Sequence, residues 1–177
     1  MDNMNENKEK RIVMEGTNNR YQIKKLLETR VKKKRQGITF PEEYLLHKKQ
    51  WELLFSGKDN PFLPLLIREL ERKIACYKQQ DKEKNMLDFL SFITLERVKD
   101  LLHSSGMKCF YCSCEVFLLY EMVRENKQWT LDRINNDVGH NEGNVVISCL
   151  ECNLKRRRTN QDKFLFTKQL KIVKGEN

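Results

Sequence analysis

The sequence predicts an α+β fold, and three observations predict it. Apolar residues recur at spacings of three and four from Tyr44 to Leu102, the period of helices. Two Cys-x-x-Cys pairs, Cys109/Cys112 and Cys149/Cys152, follow with 36 residues between them. Inside that interval lie two short runs of strand-type residues, 128–134 and 144–148.

The first 19 residues are rich in Asn, Glu and Lys and nearly free of apolar side chains, a composition that favours disorder. Residues 1–36 thus read as a disordered basic arm. Its end holds Lys24, Lys25, Arg30, Lys32, Lys33, Lys34 and Arg35 against one acid, Glu28, and can form a helix fraying towards Gly37. Such a stretch is a phosphate-binding arm, a nuclear-import signal or a solvated tail.

Residues 37–85 read as a helical hairpin. Thr39-Phe-Pro-Glu42 has the form of a capping box with an early proline. The helix after it groups Tyr44, Leu45, Trp51, Leu54 and Phe55, and Gly57 ends it. After a turn at Pro61, a second helix is expected over residues 64–78, with Leu66, Leu70, Ile74 and Tyr77 on one side. Residues 81–84 read as a charged connector. The hairpin can pack on the rest of the chain or on a second subunit, giving a homodimer. His47 reads as structural.

Thr94 caps a short helix carrying Leu95, Val98, Leu101 and Leu102, closed by Gly106; His103 sits in its last turn, where a cation suits the helix dipole. The apolar residues 116–123 fit a strand or a helix. After the first strand, residues 135–140 are loop by composition. A helix should begin near the second cysteine pair, and a last one within residues 161–177 after a cap in Thr159-Asn-Gln-Asp162.

Four thiolates in two knuckles suit one tetrahedral Zn²⁺, which would staple a small fold. No apolar leader opens the chain and no stretch reaches the ~18 apolar residues of a membrane span, so an intracellular, reducing setting without a membrane partner is expected. Cys-x-x-Cys pairs there are more often metal ligands than disulfides. Cys76 and Cys114 read as small buried apolar groups, with Cys114 near enough in sequence to exchange into the metal site. The formal net charge of +9 over 177 residues points to a polyanionic partner, nucleic acid before an anionic membrane surface.

The segments KCFYC, WTLDRINNDVGHNEGNVVISCLECN and LKRR resemble the HNH (ββα-metal, His-Me finger) endonucleases, in the zinc-stapled branch that includes phage recombination endonuclease VII. The resemblance covers residues 87–158, within an HNH-like domain drawn at 86–160. It implies a ββα-metal finger, a structural Zn²⁺ on Cys109, Cys112, Cys149 and Cys152, and a catalytic Mg²⁺ or Mn²⁺ held by Asp132 and Asn153. It also implies that Asn144 pins the loop between the strands. An amide has the donors and acceptor for that.

One position departs from the family pattern. The residue after the metal aspartate is usually a histidine base, and here it is Arg133. Arginine stays protonated and cannot serve as a base, but it can clamp a phosphate. His140 is the only imidazole in the region and is the expected base. Lys155, Arg156, Arg157 and Arg158 follow the site and are expected to line a phosphate backbone, together with Lys32, Lys33, Lys34 and Arg35. The expectation is a metal-dependent DNA endonuclease, of branched-DNA or of nicking type. The alternative is a non-catalytic zinc module that binds nucleic acid and keeps the fold.

Overall fold

Two turns of chain decide how the helical region begins. The computed structural model describes residues 15–16, 33–57 and 59–170. Most of the basic arm, Lys32 included, and residues 171–177 lie outside the described residues. The chain divides into two units, Met1–Lys33 and Lys34–Asn177, and, the exposure of Lys33 apart, all that follows concerns the second.

Thr39 caps nothing. Pro41, in extended conformation, precedes a 3-10 turn over Glu42–Leu45, and Leu46 is extended before helix α1, His47–Ser56. The break replaces the single helix expected from the capping box, and Gln50 accounts for it. The fully buried Gln50 amide donates to the Tyr44 and Leu119 carbonyls at 2.6 and 2.8 Å. Its oxygen accepts the Leu118 and Leu119 N–H groups at 2.6 and 3.0 Å. A buried amide is tolerated only when so satisfied. Residues 116–123, left open between strand and helix, are neither: their backbone pairs with a side chain and through isolated bridges at Phe117 and Met122.

Helix α2, Leu63–Glu83, is longer than expected. Its buried face does not stop at Tyr77 but runs on to the carboxylate of Asp81. Residues 81–83 are therefore the last turn of a helix and not a connector. Cys76, expected inside, is exposed. Helix α3, Leu95–Ser104, starts at Thr94, whose hydroxyl accepts the Arg97 N–H at 3.3 Å. His103 packs against Trp51 and Phe55 of α1, with ring centroids at 5.3 and 5.0 Å.

Strands β1, Trp129–Arg133, and β2, Val145–Cys149, form a two-stranded antiparallel sheet with Leu131 opposite Ile147 and Asp132 opposite Val146. Helix α4, Leu150–Arg156, follows directly, and α5, Gln161–Gln169, is capped by Asn160. Both strands bury most of their residues, because helices cover the hairpin. One core joins Leu53 of α1, Leu66 and Leu70 of α2, Val98 and Leu102 of α3 and Trp129, Leu131 and Ile147 of the sheet. The helical hairpin thus packs on the rest of its own chain. No helix among the described residues is long and apolar enough to cross a membrane.

Candidate metal centre and adjoining cleft

The sulfurs of Cys109, Cys112, Cys149 and Cys152 lie within 4.8 Å of one another. Ligands about 2.3 Å from a tetrahedral ion stand about 3.8 Å apart, and the Cys112 and Cys149 sulfurs are 3.9 Å apart. The Cys152 N–H points at the Cys149 sulfur, 3.4 Å away. Three of the four are buried. The group can hold a structural metal such as zinc. Cys114 is half-buried beside it and turns the first knuckle, its carbonyl accepting the Cys109 N–H at 2.8 Å.

A cleft of about 580 Å³ opens beside this group, lined by residues of α2, β1, the loop after β1, and α4. Asp132, Arg133, His140 and Asn153 all line it. The alternation of a strand places Thr130 and Asp132 on one side of β1, where α4 crosses. Asn153 and Arg156, three residues apart on α4, both reach that strand. The Asn153 amide nitrogen donates to Thr130 Oγ1 and the Leu131 carbonyl at 3.1 and 3.2 Å, so its orientation is fixed. Its oxygen makes no hydrogen bond to the described residues.

Asp132 is buried and doubly held. The Tyr111 hydroxyl donates to Oδ2 at 2.5 Å and Arg156 Nη1 to Oδ1 at 3.2 Å. Burial pushes its carboxyl above the usual range, against the opposing pull of Tyr111, Arg156 and Arg133. A carboxylate has about four lone-pair sites, so two remain for another partner.

His140 sits behind Gly139 in the loop. Its backbone N–H donates to Asp81 Oδ2 at 2.6 Å and its Nδ1 to Asp81 Oδ1 at 2.8 Å. The ring lies on Tyr77, centroids 4.5 Å apart, and Tyr77 in turn accepts the Leu131 N–H at 3.1 Å. Burial lowers the imidazole pKa below 6.5, opposed by Asp81 and reinforced by Arg133 and Lys84. A hydrogen at Nδ1 leaves the Nε2 lone pair free, and Nε2 has no hydrogen bond among the described residues. Gly139 makes this approach possible: a Cβ there would stand 2.5 Å from the Met86 carbonyl and 2.9 Å from Asp81 Oδ2.

Asn144 bridges the loop. Its amide donates to the carbonyls of Asn135, Val138 and Gly139 and accepts the Asn135 N–H at 2.9 Å. Arg133 donates to the Val138 carbonyl and to Met86 sulfur.

The basic residues divide. Arg156 is fully buried, bonded to Asp132 and to the carbonyls of Arg133 and Ile134 at 2.7 and 2.9 Å. It is not available to a phosphate backbone, contrary to the expectation from the charge run. Its place on the hairpin side of α4 is the reason. Lys155 pairs with Glu151 on the outer side. Arg157 and Arg158 line the cleft with Lys84 and Arg133, and Arg158 makes an exposed ion pair with Asp137 at 2.7 Å. Arg35 is also spent inside the fold, bonded to Glu69 at 2.6 Å and lying over Tyr120. Lys34 pairs with Glu121 at 3.3 Å, and Lys33 is exposed.

Sequence reasoning missed two residues of the site. Asp81 carried a signal, since it continues the stripe of Tyr77 four residues on. Tyr111 carried only its position between two cysteines. No family model, curated protein or solved structure matches the chain.

Proposed function

We propose that the chain is a metal-dependent DNA endonuclease of HNH type, with Zn²⁺ as the structural metal on the four cysteines. On this reading the β1–β2 hairpin and α4 are a ββα-metal finger. The observation that carries the reading is that His140, oriented by Asp81, lines one cleft with Asp132 and Asn153. A water-activating imidazole and two hard oxygen donors are what phosphodiester hydrolysis needs.

Asp132 and Asn153 would hold the catalytic Mg²⁺ or Mn²⁺. The donor set fits: one carboxylate with spare lone pairs and one amide oxygen without a hydrogen bond among the described residues suit an ion that keeps most of its waters. When bound, such an ion would stabilise charge on the phosphate and the leaving oxygen. His140 Nε2 takes the proton of the attacking water. Asp81 keeps the other hydrogen on Nδ1 and stabilises the imidazolium that forms. Arg133 takes no proton; with Lys84, Arg157 and Arg158 it offers positive charge to the phosphates.

The bond between Arg156 and Asp132 favours a second reading. A carboxylate already paired inside the protein is a weaker metal ligand, which suits a non-catalytic module that binds nucleic acid.

Zinc-loaded protein on supercoiled plasmid and on a four-way DNA junction, with Mg²⁺, Mn²⁺ or EDTA, separates the two. Metal-dependent cutting that Asp132→Asn abolishes supports the nuclease. DNA binding with no cutting under either metal supports the module. Asp132→Asn is chosen over alanine because its amide oxygen still accepts from Arg156 and its NH₂ can donate to the Tyr111 hydroxyl oxygen; urea unfolding checks the fold, since the charge opposite Arg156 is lost.

A further inference from the structure

We propose that Phe89 and Leu90 form an apolar wedge that inserts between the bases of DNA lying in the adjoining cleft. The inference rests on the nuclease reading and goes beyond it, since it concerns which DNA is engaged.

Leu90 is 99% exposed and Phe89 75%, more than any other described large apolar side chain. They stand at the tip of a turn between α2 and α3. Asp88 fixes that turn. Its carboxylate accepts the Leu90 N–H at 3.0 Å and the Ser91 hydroxyl at 2.6 Å, and its carbonyl accepts the Phe92 N–H at 2.9 Å. The tip is thus presented on a braced support.

The support is built on the loop that carries His140. The Ile93 N–H donates to the His140 carbonyl at 3.0 Å, the Glu142 N–H to the Ser91 carbonyl at 2.8 Å, and Phe92 bridges Asn141. On the other side of the tip, Met86 lines the cleft and donates its N–H to the Asp81 carbonyl at 2.8 Å. Both ends of the turn are therefore tied to the Asp81–His140 pair.

The chemistry around the tip selects the occupant. Lys78 Nζ lies 5.3 Å from the Phe89 ring centroid and 6.0 Å from that of Phe92. Lys84, Arg133, Arg157 and Arg158 line the cleft beyond. An apolar tip with one cation against its ring, next to a cleft lined by four more, suits a partner with stacked apolar faces inside a polyanionic skin, which is nucleic acid. A phenylalanine ring gives a base a stacking surface without reading its identity. Apolar side chains of this kind part base steps and kink the duplex. The cost of parting is least where stacking is already broken, so the wedge favours branched or distorted DNA over regular duplex.

The test uses the full-length protein without added Mg²⁺, a four-way junction carrying 2-aminopurine beside the branch, and a matched linear duplex. The parent protein should raise 2-aminopurine fluorescence and prefer the junction. Phe89→Ser with Leu90→Ser should remove most of the rise and weaken junction binding about tenfold. The salt dependence should stay unchanged, because phosphate contacts remain. Both positions are exposed, so the fold should persist, and circular dichroism checks that it does. A double variant that keeps the fluorescence rise and the junction preference overturns the wedge while leaving the nuclease reading intact. So does a double variant whose only change is a loss of self-association in light scattering, which would assign the tip to a second copy of this chain. If the parent protein binds neither DNA, wedge and nuclease readings fall together.

Discussion

Asp81 and His140, 59 residues apart in sequence, meet through two hydrogen bonds: one carboxylate oxygen accepts the imidazole Nδ1–H at 2.8 Å and the other the backbone N–H at 2.6 Å. This fixes the ring and its tautomer together. Replacement by an amide disturbs both. With Asp81→Asn, the single amide oxygen serves the backbone N–H, and the NH₂ then faces Nδ1. The imidazole hydrogen moves to Nε2, where the lone pair is needed. Cleavage should fall by roughly 10²–10⁴-fold, with plasmid binding and bound zinc unchanged. A near-normal rate would remove His140 from the role of base.

The pH dependence follows from the same pair. Burial lowers the His140 pKa below 6.5, so the neutral imidazole persists below that pH and the acid limb of the cleavage profile should lie under 6.5. The unfolded chain binds more protons than the folded one between the lowered value and 6.5. The stability contribution is therefore complete above 6.5 and is lost as pH falls through that window. Denaturant midpoints measured across it should fall for the parent protein and fall less for His140→Gln.

Arg156 separates stability from DNA contact. Removing one partner of a buried ion pair leaves the other uncompensated, at a cost of about 3–5 kcal/mol. Arg156→Ala should lose about that much in urea unfolding. Arg157→Ala and Arg158→Ala, whose side chains reach the cleft, should leave unfolding nearly unchanged and weaken binding evenly across DNA sequences. Equal stability of all three variants would contradict the buried pairing.

Cys149→Ser should lose the structural metal and unfold the domain, since binding free energy at such a site is folding free energy. Metal analysis of the parent protein should give one zinc per chain. A folded variant free of zinc would show that the four thiols are not a staple.

What could be read in the sequence was what depends on near neighbours. The knuckle spacing, the strand runs and the Thr94 cap each lie within a few residues of their cause. What could not be read depends on who meets whom in three dimensions. Asp81 looked like one more charge in a charged stretch until its helix continued and turned it inward. Arg156 looked like its neighbours Lys155 and Arg157, yet one step around α4 takes it from solvent to full burial. The apparent capping box at Thr39 lost to the demands of Gln50, a polar side chain whose four partners lie as far away as Leu119.

The bond from Asp81 to His140 also sets how little of the chain is portable. On the proposed reading the nuclease-like segment begins near Leu87, but the carboxylate that orients the imidazole is delivered from the end of α2, Leu63–Glu83. A transplant cut at Leu87 would carry the thiols, the hairpin and the histidine and leave behind what aims it. The smallest self-sufficient unit has to start no later than α2, and a grafting experiment that ignored this would yield the four-cysteine group and the hairpin with an imidazole that nothing aims.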